Sequence, residues 1–64
     1  MTDADKILAV LDFYPQYIDV IGLRLEKEQG LKMSTAELNG LLIQMCLWDE
    51  VRQEGAGWFL KTGS

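Results

Sequence analysis

Ser34, Thr35 and Asn39 fall within one six-residue stretch of the chain. Their hydroxyl and amide groups both donate and accept hydrogen bonds, and an asparagine amide matches the donor–acceptor pair on an adenine edge. Lys32 stands just before them, and Lys27, Arg52 and Lys61 add cations of the kind that hold phosphate oxygens. Together these side chains form a candidate nucleic-acid surface. Ser34, Thr35 and Asn39, with Glu37 nearby, would meet base edges, while Lys27, Lys32, Arg52 and Lys61 would meet the backbone. Ser34 and Glu37 also have the spacing of a reciprocal helix cap, which accounts for that pair without any ligand.

Catalysis has little to work with. The chain has no histidine and one cysteine, Cys46, so a histidine base, a histidine-containing triad and a cysteine-built zinc site are all excluded. Glu26 with Glu28, and Asp49 with Glu50, stand at spacings that do not converge on one helix face, and they read as solvated charge. The "GAG" at Gly55 to Gly57 lacks the flanking pattern of a phosphate loop. The expectation is a protein that is not an enzyme and uses neither metal nor cofactor. Cys46 lies in the run "LLIQMCLW", where a buried, unreactive thiol is expected.

A second set of residues suggests a different chemistry. Leu47, Trp48 and Trp58 are large and apolar, and the "IQMCLW" segment is apolar nearly all round, more than a small domain can cover. Tryptophan is enriched where proteins grip one another, so these three are candidate contacts for a protein partner or a second copy. The plainer alternative is that both tryptophans finish the small core.

The elements that would position these residues follow from periodicity. Thr2 or Asp3 caps a first helix over about 3–14, with Ile7, Leu8, Leu11 and Tyr14 or Phe13 on its apolar face. Pro15 stops that helix and opens a second over about 16–29, which buries Ile18, Ile21, Leu25 and Tyr17. Gly30 ends it, and Gly22 within it marks close helix packing. The cap at Ser34 starts a third helix over about 34–49, with Leu38, Leu41, Leu42 and Met45 as its core stripe and Asn39 and Gly40 opposite. The pieces "EVRQ" and "WFLKT" then make a hairpin over about 50–61, turned by "EGAG" and packed by Val51, Phe59 and Trp58.

Length and charge bound the rest. Sixty-four residues make one domain with a small core, and a chain of that size buries only about 60% of its unfolded surface. The formal charge is −4, which opposes long-range attraction to phosphate. The imbalance is uneven: Asp3, Asp5, Asp12 and Asp19 face only Lys6, whereas later cations nearly balance later acids. A lone cysteine and the lack of a long apolar run fit a reducing cytoplasm, with neither a signal peptide nor a membrane span.

Three helices followed at once by a hairpin resemble the winged helix-turn-helix fold, mainly α with a small β-hairpin. "ILAVLDFYPQYID", "AELNGLLIQMCLWDEV" and "GAGWF" are similar to the C-terminal winged-helix domain of DNA-processing protein A. "GWFLK" resembles the wing of small pilus-operon regulators. Either resemblance implies a bacterial module that binds single- or double-stranded DNA, in recombination or in transcription regulation. The fold also serves as a protein-docking or dimerisation unit, so an acidic version without DNA binding is the alternative.

Overall fold

The computed structural model describes residues 2–61. Helix α1, Asp3–Val10, begins at a full capping box: the Thr2 hydroxyl accepts the Asp5 N–H at 3.2 Å, and the Asp5 carboxylate accepts the Thr2 N–H at 3.1 Å. Its last helical residue is Val10, four short of Tyr14, and Leu11 is already in extended backbone. Phe13 and Tyr14 are therefore exposed loop residues, which corrects their expected place on the core face. Val10 takes that place, fully buried beside Ile7 and Leu11.

The chain bends at Phe13 and Tyr14 and passes through Pro15 into a two-residue strand, β1, Gln16–Tyr17. Pro15 thus leads into a strand, not a helix, and Tyr17 is exposed. Helix α2, Ile18–Gln29, follows directly and buries Ile21 and Leu25, with Ile18 packed at the core margin. Gly30 ends it with φ 66°, its N–H donating to the Glu26 carbonyl at 3.1 Å. That left-handed turn is where glycine avoids the steric cost of a Cβ. At Gly22 an added Cβ would stand 3.6 Å from Leu38 Cδ2, so α2 approaches the third helix closely there.

Helix α3, Thr35–Leu47, carries the expected cap, the Ser34 hydroxyl accepting the Glu37 N–H at 3.1 Å. Leu38, Leu42 and Met45 are buried, Leu41 half-buried, and Asn39 and Gly40 exposed. Its end is less ordinary. Asp49 adopts φ 67°, its N–H donates to the Cys46 carbonyl at 3.0 Å, and the Glu50 N–H donates to the Met45 carbonyl at 2.9 Å. This is the Schellman arrangement, with an aspartate where glycine is usual.

Strands β2, Val51–Glu54, and β3, Gly57–Leu60, form the hairpin, turned at Gly55–Ala56. Gly55 has φ 60°, and a positive angle at the first turn position alone belongs to the type II′ turn that matches hairpin twist. The sheet order is β1-β3-β2, antiparallel throughout, with Gln16 opposite Trp58 and Val51 opposite Leu60. Gly57 accommodates β1: a Cβ there would lie 2.5 Å from Pro15 Cβ.

Alternation puts Trp58 and Leu60 on the core side of β3 and Phe59 on the other. Trp58 is only 3% exposed, packed with Val51 among Ile7, Ile21, Leu25 and Leu42. Three helices with a three-stranded antiparallel sheet, its hairpin directly after α3, make a winged-helix layout. Among the described residues, no helix is long and apolar enough to cross a membrane.

Candidate recognition surface

The outer side of α3 is set by the burial of its inner stripe. With Leu38, Leu42 and Met45 inside, helical spacing turns Thr35, Ala36, Asn39, Gly40, Ile43, Gln44 and Leu47 outward, and all are exposed. The helix contains neither lysine nor arginine, and its one acid, Glu37, is folded back onto the cap. Glu37 Oε1 accepts the Ser34 hydroxyl at 3.0 Å while Ser34 accepts the Glu37 N–H, so the hydroxyl is engaged both as donor and as acceptor. Donating to a base with Ser34 requires opening that cap, while the capped hydroxyl keeps one lone pair to accept with. Thr35 and Asn39 carry no such commitment and stand open to solvent.

The four candidate phosphate contacts fall into two unlike pairs. Arg52 and Lys61 both bind the Asp49 carboxylate, Arg52 at 2.8 Å and Lys61 through its ammonium group. The left-handed turn that ends α3 aims this aspartate at the hairpin, and the lysine's hydrogen bond, with the arginine charge beside it, holds its carboxyl below the usual range. The wing's two cations therefore share one carboxylate, which offsets one of their two charges. Lys27 and Lys32 are exposed and make no ion pair among the described residues. Lys32 borders an open cleft of about 290 Å³ between α2 and the start of α3, where Asp19 and Glu26 also lie. Its own neighbourhood is thus not a basic one.

The apolar candidates separate as sharply. Leu47 is 81% exposed and Trp48 57%, and Ile43, one turn earlier, is 47% exposed. Trp58, expected as a partner contact, is instead a core residue, because β3 is the central strand and presents it to the helices. Cys46 is half-buried and packs against the core.

An Arg24 cluster escapes sequence inspection. Its guanidinium reaches Asp12 at 3.0 Å, Glu28 at 2.9 Å and the Gln16 side-chain oxygen Oε1 at 3.1 Å, while the Gln16 side-chain Nε2 donates to Asp12 at 3.0 Å. Hydrogen bonds to Glu28 and Asp12 raise the arginine's already high pKa. The cluster fastens the α1–β1 connection to α2 and satisfies Gln16, the one buried polar side chain among the described residues. Only the pairing of Arg24 with Glu28, one helical turn apart, is visible as a spacing in the sequence. Among the described residues, no group of three or more histidine, cysteine or acidic side chains is placed to hold a metal.

No protein-family model matches this sequence, and no curated protein or solved structure matches it either.

Proposed function

We propose that this chain is a small winged-helix docking module that acts by protein contact, with the outer face of α3 as its contact surface. One observation carries the reading: the helix that a DNA-reading winged helix would present to the groove lacks any cation and exposes Ile43, Leu47 and Trp48. Charge depletion around apolar and aromatic anchors is the composition of a protein interface centre, whereas a DNA surface draws its affinity from cations. The lone Cys46 fits work in the reducing cytoplasm.

Nucleic-acid contact in regulation or recombination is a second reading, supported by Lys32, which lines one cleft with the exposed Thr35. It engages the start of α3 and needs few phosphates, so its affinity is modest and falls steeply with salt.

Site-specific photo-crosslinking separates the two. A photoreactive residue in place of Leu47, and separately in place of Thr35, is introduced into the chain in the cells that make it, with Asp3 on α1 as control. Protein adducts at position 47, resistant to nuclease and absent from position 3, are the expected outcome. Nuclease-sensitive adducts at position 35 alone would transfer the function to nucleic acid, and silence at both positions would sink both readings.

A further inference from the structure

The exposed stripe of α3 is graded by size. Ala36, Gly40, Ile43 and Leu47 follow at intervals of four, three and four residues, which lines them up along one edge of the helix for about 16 Å. The first half of that edge is nearly bare, and a Cβ placed on Gly40 would meet nothing within 4 Å. The second half carries two large side chains, Ile43 and Leu47, with Trp48 alongside. A surface hollow at one end and raised at the other fits itself when turned end for end.

We propose that the partner on this face is a second copy of the chain, packed α3 against α3, antiparallel, about a two-fold axis passing between Gly40 and Ile43. The inference rests on the docking reading and names its partner. In that arrangement Leu47 of each copy lies over Ala36 of the other, and Ile43 lies over Gly40. The small residues let the helix axes approach toward the close end of the 8–10 Å range usual for packed helices. Opposed helix dipoles favour the antiparallel sense. The stripe is uncharged, and its borders carry the amides Asn39 and Gln44 and one acid, Glu37, held at the cap away from the two-fold axis, so no like charges are pressed together although each copy carries −4 overall.

The area suffices for a reversible dimer. Ile43, Leu47 and Trp48 leave on the order of 400 Å² open, and the smaller residues raise this to about 600 Å² per copy, so full cover would bury roughly 1,200 Å² per dimer, the lower end of specific interfaces. Association is therefore concentration-dependent. Because the net charges repel, salt strengthens it, opposite to its effect on nucleic-acid binding.

Sedimentation equilibrium of the whole chain, from micromolar to millimolar, tests this with Ala36→Leu, Leu47→Ala and the double variant. All the altered side chains are exposed, and circular dichroism checks that each variant folds. Either single change raises the dimer dissociation constant about tenfold or more, one by blocking the hollow and the other by emptying it. The double variant restores association, since each contact again pairs one leucine with one alanine. A wild-type chain that stays monomeric at millimolar concentration overturns the proposal, as does an Ala36→Leu variant that associates more tightly, the mark of unspecific stickiness. A monomeric wild type whose position-47 crosslinks carry another protein's mass defeats the second copy and leaves the docking reading standing. Loss of the crosslinks as well defeats both.

Discussion

Replacing Gly57 by alanine tests the contact that holds β1 onto the wing. The new methyl would stand 2.5 Å from Pro15 Cβ, 3.2 Å from Pro15 Cα and 3.3 Å from the Gln16 nitrogen. Carbon atoms pack at about 3.5–4.0 Å, so the nearest contact must open by roughly 1 Å. No flexible side chain is available to yield: one neighbour belongs to a closed ring and the others to backbone, and Gln16 is pinned by its pairing with Trp58 and by the Arg24 cluster. Overpacking of a rigid site costs about 1–3 kcal/mol, and loss of β1 pairing places Gly57→Ala at the upper end, near 3 kcal/mol. A chain of this size has on the order of 3–10 kcal/mol in total, so the variant loses roughly a third or more of its stability. Urea denaturation followed by tryptophan fluorescence measures it, because the buried Trp58 shifts to the red on unfolding. Gly22→Ala is the control: its methyl meets Leu38 Cδ2 at an ordinary 3.6 Å, and the helix gains about 1 kcal/mol. A Gly57→Ala domain within about 0.5 kcal/mol of wild type, below the cost of any real overpacking, would refute the proposed packing of Pro15 on the central strand.

Ser34→Ala removes the α3 cap and lowers stability by about 1 kcal/mol, read as a drop in the urea midpoint; an unchanged midpoint would show that the cap is not formed in solution. Asp49 governs part of the acid response. Its folded carboxyl lies below the ordinary 3.8 because of Lys61 and Arg52, so its stabilisation is present above that pH and disappears as pH falls through the folded value. Asp49→Asn keeps a side chain that tolerates the left-handed turn and removes the titration. Wild type and variant should therefore differ at pH 7 and converge in acid, and parallel pH profiles would contradict the Asp49 contacts.

Local signals were the legible ones. Ser34 with Glu37 and the stripe from Leu38 to Met45 located α3, Gly30 ended α2, and the glycines around Ala56 marked the hairpin. What the sequence hid depends on distant partners. Nothing in "PQY" marks a strand, because β1 exists through its pairing with residues 57 and 58. The early end of α1 is tied to the same region, where the Leu60 N–H donates to the Asp12 carbonyl at 2.8 Å. Trp48 and Trp58 have equal claims in the sequence to be core or contact, and only the position of β3 at the centre of the sheet separates them. The candidate cations Arg52 and Lys61 look available until Asp49, twelve residues from Lys61, is brought between them.

The order β1-β3-β2 also has a consequence for how the chain comes off the ribosome. Among the described residues, the central strand is the last of the six elements to be made, and until it emerges neither β1 nor β2 has an edge to pair with. Three helices can collapse early on local contacts, but their core stays open where Trp58 belongs. During synthesis the nascent domain therefore exposes apolar surface that only its closing strand covers. A released chain cut short before Gly57 would keep that surface open to chaperones.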